Sequence, residues 1–501
     1  MAAGAAVTMN LEDANARLGR LVYPLALIAT LSLWLLAIQA PLWLDETLAY
    51  WQISGGFFKI WSRSAQMPSS FTYLYILWLA KSILGSSEVA LRIPSMLAML
   101  GAAYALFRAA RELFNEEIAY ISTILFCIHP HLVFAVTDAR PYSFALLMTN
   151  LAILTFILWI KRREMRYAIQ FGAAAAGILY FHYLFGVAIF PAFAVCYLLI
   201  RRRSIRTDLR QLLTMAIVFS LLTLPHVIRV MGLYEARQSH IVRKLDETRV
   251  ILGTLVPFKL LIAFVAVIFI AALVRKLNVP DLECLSAAMV GLPLAIVPVA
   301  ILSGIGAATP MHLVTSRYCL AGVPGSVLIW GLLTSRVDSR HLRQIFCASF
   351  VAVTVILYFR SPYMRMHEYT WKYALQFANN NAAQDNAPLV ISSDFVESNY
   401  QPLPSGPVRE SALFAPLSYY QVNTRVVPLP EYMNDEAMTV SGQFVQESAR
   451  RHQRFLALVG SSHLETLQWV ATYSSGIFVT HPLGNFDGIL VVEFLPLAGS
   501  N

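Results

Sequence analysis

Lys161-Arg-Arg-Glu-Met-Arg166 is followed by 34 uncharged residues, YAIQFGAAAAGILYFHYLFGVAIFPAFAVCYLLI (167–200), and then by Arg201-Arg-Arg203. A helix that crosses a bilayer needs about 20 apolar residues, so this run is long for one span and short for two. The flanking tufts decide between them. Lys and Arg gather on the cytoplasmic side of a membrane, and both tufts can lie there only if the chain crosses twice. The spacing predicts a helical hairpin whose tip falls near Phe181-His182-Tyr183, just ahead of Gly186.

Working outward, candidate spans cover roughly 21–40, 93–110, 117–136, 141–160, 166–181, 184–200, 210–230, 251–274, 284–303, 317–335 and 343–360, about eleven in all. With the hairpin in place, 108–117, 161–166, 201–210, 275–283 and 336–343 fall inside and carry most of the Lys and Arg. The segments 45–91, 137–140, 182–183, 234–249 and 307–316 fall outside. The N-terminus is expected inside and the C-terminus outside. Residues 1–20 form a mixed polar cytoplasmic segment, and the first apolar run lacks the small-residue cleavage site of a signal peptide, so it is expected to stay as a span.

Composition agrees. Of 501 residues 57% are hydrophobic and 13% charged, about half the charged share of a soluble protein, and the mean hydropathy is +0.59. The net charge of +9 sits in tufts beside apolar runs, with no basic face interleaved with aromatics, which argues against nucleic acid. The five cysteines (Cys127, Cys196, Cys284, Cys319, Cys347) all fall in apolar segments without metal-ligand spacing. They read as buried free thiols.

Two stretches are not spans. The first outer loop, 41–91, holds aromatic amphipathic pieces such as Phe57-Phe58-Lys59-Ile60-Trp61 together with Trp43, Trp51 and Trp78, which suit helices lying in the membrane interface. From about residue 361 to 501 polarity rises and short β-rich runs appear: Pro388–Ser392, Thr424–Val427, Phe455–Val459, Ile477–Thr480 and Ile489–Phe494. Helical stretches Tyr369–Asn380 and Leu464–Tyr473 lie among them. The expectation is a small extracytoplasmic α/β domain after a transmembrane domain of residues 21–360.

Several polar groups fall on the outer face. Asp45-Glu46 follows the first span, Asp138-Ala-Arg140-Pro-Tyr142 fills a short turn, and Arg317-Tyr318 opens the tenth span. His182-Tyr183 tips the hairpin, and Glu88 with Arg92-Ile-Pro-Ser95 begins the second span. Each has a bland reading: interfacial acids, an ion pair closing a turn, a snorkelling anchor, a core histidine. His129, His131 and His226 read as structural. Charge near a span is costly and tends to mark function, and all these clusters share one face. Carboxylates can serve as base and orienter, and guanidinium suits a phosphate.

The ordered series of an apolar span, Asp45-Glu46, Glu88-Val-Ala-Leu-Arg92-Ile-Pro94-Ser95, Asp138-Ala-Arg140-Pro141-Tyr142, Phe181-His182-Tyr183 and Arg317-Tyr318 resembles the C-type glycosyltransferases. It is most similar to the branch of protein O-mannosyltransferases and lipid A aminoarabinose transferases, over about residues 21–333. The resemblance implies an enzyme that moves a sugar from a polyprenyl-phosphate donor to an acceptor hydroxyl with inversion. The acceptor would be a protein, lipid or glycan, outside the cytoplasmic membrane. It implies Asp45 as base with Glu46 beside it. Arg140, Tyr142, Arg92, Arg317 and Tyr318 would hold the lipid phosphate, with Asp138, His182 and Tyr183 in support. Many relatives carry His-Pro-Pro in the first outer loop, where this chain has Gln66-Met67-Pro68-Ser69. A divalent cation, Mg or Mn, could sit on Asp45, Glu46 and Asp138. The rival reading is a polytopic transporter or lipid flippase, which would place ionisable groups at the midplane of repeated halves.

Overall fold

The structure, a computed structural model, describes residues 21–36, 38–67, 70–202, 208–235, 247–256, 266, 270, 282–360, 371–460 and 464–497. The segment 1–20, most of the candidate span 251–274, most of the outer segment 234–249, most of the inner segment 275–283, and Pro68 with Ser69 lie outside the described residues. The chain is a mostly helical membrane protein with a small C-terminal sheet domain. Its contacts divide it into two units, one of residues 1–38 with 89–365 and one of residues 39–88 with 366–501.

In the first unit, among the described residues, seven helices are long and apolar enough to cross a bilayer. They are Glu88–Leu113, Tyr142–Arg162, Tyr183–Arg201, Leu209–His226, Leu285–Ala308, Ser316–Ser335 and Arg340–Arg360. The pair Glu116–Cys127 and Pro130–Val136 would make an eighth, but it is bent by 70°. The expected straight span 117–136 is therefore broken, because Pro130 lacks an N–H and its ring clashes with the preceding turn. Leu21–Leu36 is a shorter apolar helix. The predicted hairpin is present as Met165–Phe181 and Tyr183–Arg201, which meet at His182 in extended backbone (φ −155°, ψ 100°).

Small residues let these helices approach closely, the usual device where lipid removes the hydrophobic drive between them. A Cβ on Gly172 would stand 2.8 Å from the Met215 carbonyl oxygen, and one on Gly325 would stand 2.2 Å from the Ala295 nitrogen. Segments assigned to the basic side meet there. Lys161 and Arg162 pair with Glu112 at 3.5 and 3.3 Å, and Arg343 pairs with Glu117 at 2.6 Å. The Tyr23 hydroxyl also donates to Glu117. Three inner segments named from charge alone thus share one end of the bundle.

The second unit is built on five strands, β1 (Leu389–Ser392), β2 (Val426–Leu429), β3 (Phe455–Gly460), β4 (Phe478–Phe486) and β5 (Ile489–Pro496). They form one sheet in the order β2-β1-β3-β5-β4. β1 runs parallel to β2 and β3, while β5 is antiparallel to β3 and β4. The helices Asp435–Arg450 and Glu465–Tyr473 cover one face through Phe444, Val445 and Val470. The other face packs Trp371, Leu375 and Ala378 of the helix Trp371–Ala382 together with Leu48, Trp51 and Met67 of the first outer loop. That loop folds as helices Leu44–Ser54, Lys59–Gln66 and Phe71–Leu84. Trp43 and Trp51 are buried, whereas Phe58 and Trp61 are exposed. Phe58 and Trp61, with Phe57, keep the outward aromatic face expected of an interfacial helix.

Polar ties fix the loop to the sheet domain. The Leu42 N–H donates to the Tyr420 hydroxyl at 2.8 Å, and Trp51 Nε1 donates to the Glu410 carbonyl at 2.9 Å. Lys372 pairs with Glu88 at 2.8 Å, and the Tyr419 hydroxyl donates to the Ser86 carbonyl at 2.8 Å. Of the cysteines, Cys127, Cys196, Cys319 and Cys347 are free and buried.

Candidate active site

In the membrane unit three connections that are distant in sequence converge. The His182 ring lies 5.3 Å from Tyr142, 5.4 Å from Tyr318 and 4.7 Å from Phe185, and stacks with Tyr183 at 6.2 Å. The helix break at His182 swings its imidazole out of the helical register and into this ring cluster. Tyr318 is placed by the short helix Ser316–Cys319, whose N-cap Thr315 hydroxyl accepts from the Tyr318 N–H at 3.3 Å. The turn before Tyr142 buries Asp138 completely and leaves Arg140 partly exposed. The Arg140 carbonyl accepts from the Ser95 hydroxyl at 3.3 Å. Arg317 is partly exposed beside Tyr318. Arg92 is buried, and its guanidinium donates to the Ile38 carbonyl at 3.0 Å, closing the C-terminal end of the first helix region.

In the sheet unit the acidic pair opens the helix Leu44–Ser54. Glu46 is fully buried, and its carboxylate accepts the Trp43 N–H at 3.2 Å. That bond satisfies one of the donors a helix N-terminus leaves unmet. Asp45 is partly exposed. The two neighbours therefore differ in availability: Glu46 serves the helix end, and Asp45 meets solvent.

Residues 68–228 match the dolichyl-phosphate-mannose-protein mannosyltransferase family. No curated protein sequence matches the chain. The fold is similar to that in the crystal structure of ArnT from Cupriavidus metallidurans bound to undecaprenyl phosphate. The TM-score is 0.52 at 11% identity, covering 94% of this chain and 97% of that one. The same protein in the apo state gives a TM-score of 0.50 at 12% identity, with 96% and 98% covered. The chain has the C-type glycosyltransferase fold. Its near-complete coverage of ArnT includes the C-terminal sheet domain.

On this C-type scaffold the sheet unit supplies acids that the sequence did not single out. Glu397 follows β1 in the turn Val396–Asn399. Burial pushes its carboxyl up, opposed by a local backbone hydrogen bond, while the charges of Asp45 and Glu431 add to the rise. Glu431 is buried, accepts from Asn399 Nδ2 at 2.9 Å, and has its own N–H on the Ser398 hydroxyl at 2.8 Å. Burial and the same two glutamates raise the Tyr400 phenol to about 12. The charge of Asp45 is thus felt at Glu397, which lies beyond the carboxyl end of the parallel strand β1, where open α/β sheets place ligands. Ser393-Asp394-Phe-Val-Glu397-Ser-Asn399 directly after a β-run was the available signal. Among the described residues no three or more His, Cys, Asp or Glu side chains come together as a metal site.

Proposed function

We propose that this protein is a membrane glycosyltransferase that moves one sugar from a polyprenyl-phosphate donor to an acceptor hydroxyl on the outer face of the cytoplasmic membrane, with inversion. The observation that carries the reading is the cluster of His182, Tyr142 and Tyr318, flanked in sequence by Arg140 and Arg317. Phenols, an imidazole and guanidiniums gathered from three connections suit a lipid phosphate.

In this reading Asp45 takes the proton from the acceptor hydroxyl as its oxygen attacks the anomeric carbon. The bond from that carbon to the phosphate oxygen breaks, and polyprenyl phosphate leaves with the electron pair. Arg140 and Arg317 stabilise the charge growing on the phosphate, a transition-state effect that lowers the barrier. Tyr142, Tyr318, His182 and Tyr183 orient it, with Asp138 and Arg92 holding the turn and helix that present them. A single displacement inverts the anomeric centre. Glu46, already bonded to a backbone N–H, supports rather than acts. The sugar is a hexose or pentose, and the acceptor a protein, lipid or glycan.

The test is full-length Asp45→Asn supplied with a labelled polyprenyl-phosphate sugar. Turnover is expected to fall about 100- to 10,000-fold with donor binding kept. Unchanged turnover would remove Asp45 from the base role. Uptake of the lipid into vesicles without sugar transfer would favour a flippase.

A further inference from the structure

A cavity of about 290 Å³ opens in the membrane unit, lined almost wholly by apolar side chains, among them Phe156, Trp159, Phe193, Ala194, Tyr197 and Phe219. Its walls come from the helices Tyr142–Arg162, Met165–Phe181, Tyr183–Arg201 and Leu209–Glu235. Pro191 interrupts the hydrogen bonding of the third of these, beside the lining residue Phe190. Ala194 is exposed on a spanning helix, so the cavity opens to the bilayer.

Depth and charge say what fits. Tyr197 stands four residues before Arg201 and Phe190 eleven before it, or about 6 and 16 Å along a helix. That range matches one leaflet of a hydrocarbon core about 30 Å thick. The stacked pair Trp159 and Tyr197 (5.9 Å, 2°) lies at its shallow end, the depth at which aromatic belts form. There Gln211 accepts from Trp159 Nε1 at 2.8 Å and donates to the Arg163 carbonyl at 2.6 Å. Lys161, Arg162 and Arg166 are engaged by Glu112 and Glu164. Arg163, Arg201 and Arg202 are exposed and form no ion pair among the described residues; Asp208, the next acid along the chain after Arg202, accepts the Arg210 N–H at 3.0 Å.

We infer that this cavity holds one acyl chain of an anionic glycerophospholipid from the leaflet on the basic side, its phosphate facing Arg163 and Arg201. The site is separate from the His182 cluster, which lies at the other end of the helix Tyr183–Arg201, and does not depend on the proposed activity.

The full-length protein in detergent, titrated with phosphatidylglycerol or phosphatidylcholine and read by native mass spectrometry, tests this. One phosphatidylglycerol is expected to stay bound, at least tenfold more tightly than phosphatidylcholine. Ala194→Trp, which fills the cavity from its lipid-facing wall, should abolish retention. Arg163→Gln with Arg201→Gln leaves the cavity intact and should erase the headgroup preference. Equal retention of both lipids, undiminished retention by Ala194→Trp, or recovery of a prenyl chain as the occupant would each overturn the inference.

Discussion

The membrane unit and the sheet unit solve the same problem, hiding backbone and polar groups, by opposite means. In the membrane unit each helix satisfies its own backbone, so contact between helices rests on small residues such as Gly172 and Gly325 and on ion pairs at the ends, Glu112 with Lys161 and Glu117 with Arg343. In the sheet unit the backbone bonds run between strands and both faces are covered by side chains, with charged groups admitted deep inside. Glu431 is 2% exposed and Glu46 fully buried, each held by hydrogen bonds. The difference teaches where acid chemistry can be tuned. The bundle's own buried charges, Asp138 and Arg92, stay close to helix ends, whereas the water-facing sheet domain buries Glu431 among its loops on hydrogen bonds with Asn399 and Ser398. The helix carrying Asp45 is packed into the second kind of environment, although in sequence it follows directly on the first span.

The comparison breaks first at Trp51. If the first outer loop is part of the sheet unit's core, Trp51→Ala should cost about 3–5 kcal/mol and open that unit to protease, while the membrane helices stay assembled. Thermal unfolding paired with limited proteolysis reads both. Unchanged protection of residues 371–497 would show that the loop is only draped on the sheet.

The complementary test lies in the bundle. Gly325→Ala adds a single carbon where the Leu294–Ala295 backbone leaves no room, 2.2 Å from the nitrogen. Overpacking of this kind costs about 1–3 kcal/mol, and here it should fall on the membrane unit alone. Detergent-resistance assays of the full chain should show it, with the protease pattern of the sheet unit unchanged.

A third test separates paired charge from buried like charge within the sheet unit. Arg454 forks onto Asp385 at 2.6 and 3.0 Å and donates to Glu493 at 2.5 Å. Its hydrogen bonds hold the Asp385 carboxyl below the usual range, against a smaller upward push from burial. Removing the guanidinium by Arg454→Ala should cost about 2 kcal/mol. A depressed carboxylate contributes above its unfolded pKa and is lost as pH falls through the folded value, so the gap to wild type should close in acid. A gap constant down to the acid limb would assign the loss to packing.

How much of this was readable beforehand follows from range. The five strands appeared in order because β-branched runs between turn residues are local signals; Phe455–Val459 anticipates β3 to within a residue. The hairpin tip at His182 came from charge and length, also local. The bend at Pro130 had a signal in the proline itself, and the helix Asp435–Arg450 had one in its Asn434 cap, whose side chain accepts from the Ala437 N–H at 2.8 Å. The influence of Asp45 on Glu397 had no such signal. It is set by packing between segments some 350 residues apart, as is the burial of Trp51 that turns a surface loop into core.

The smallest effect is the most discriminating, because it tests that influence directly. Glu397 carries a carboxyl raised chiefly by burial and further by Asp45 and Glu431. Between its unfolded value, about 4.3, and the raised folded value, the folded protein keeps a proton that the unfolded chain has shed. Stability therefore falls as pH rises through that window, and above it the cost of a partly buried anion that feels the charges of Asp45 and Glu431 remains. Glu397→Gln cannot ionise and escapes the cost. The variant should match wild type below the carboxyl range and unfold a degree or two higher at neutral pH. Repeating the comparison in an Asp45→Asn background should shrink the difference, since one of the charges that raises Glu397 is gone. A difference that ignores both pH and Asp45 would mean that Glu397 is held by the sheet domain alone, and that the acid after the first span answers to the membrane unit.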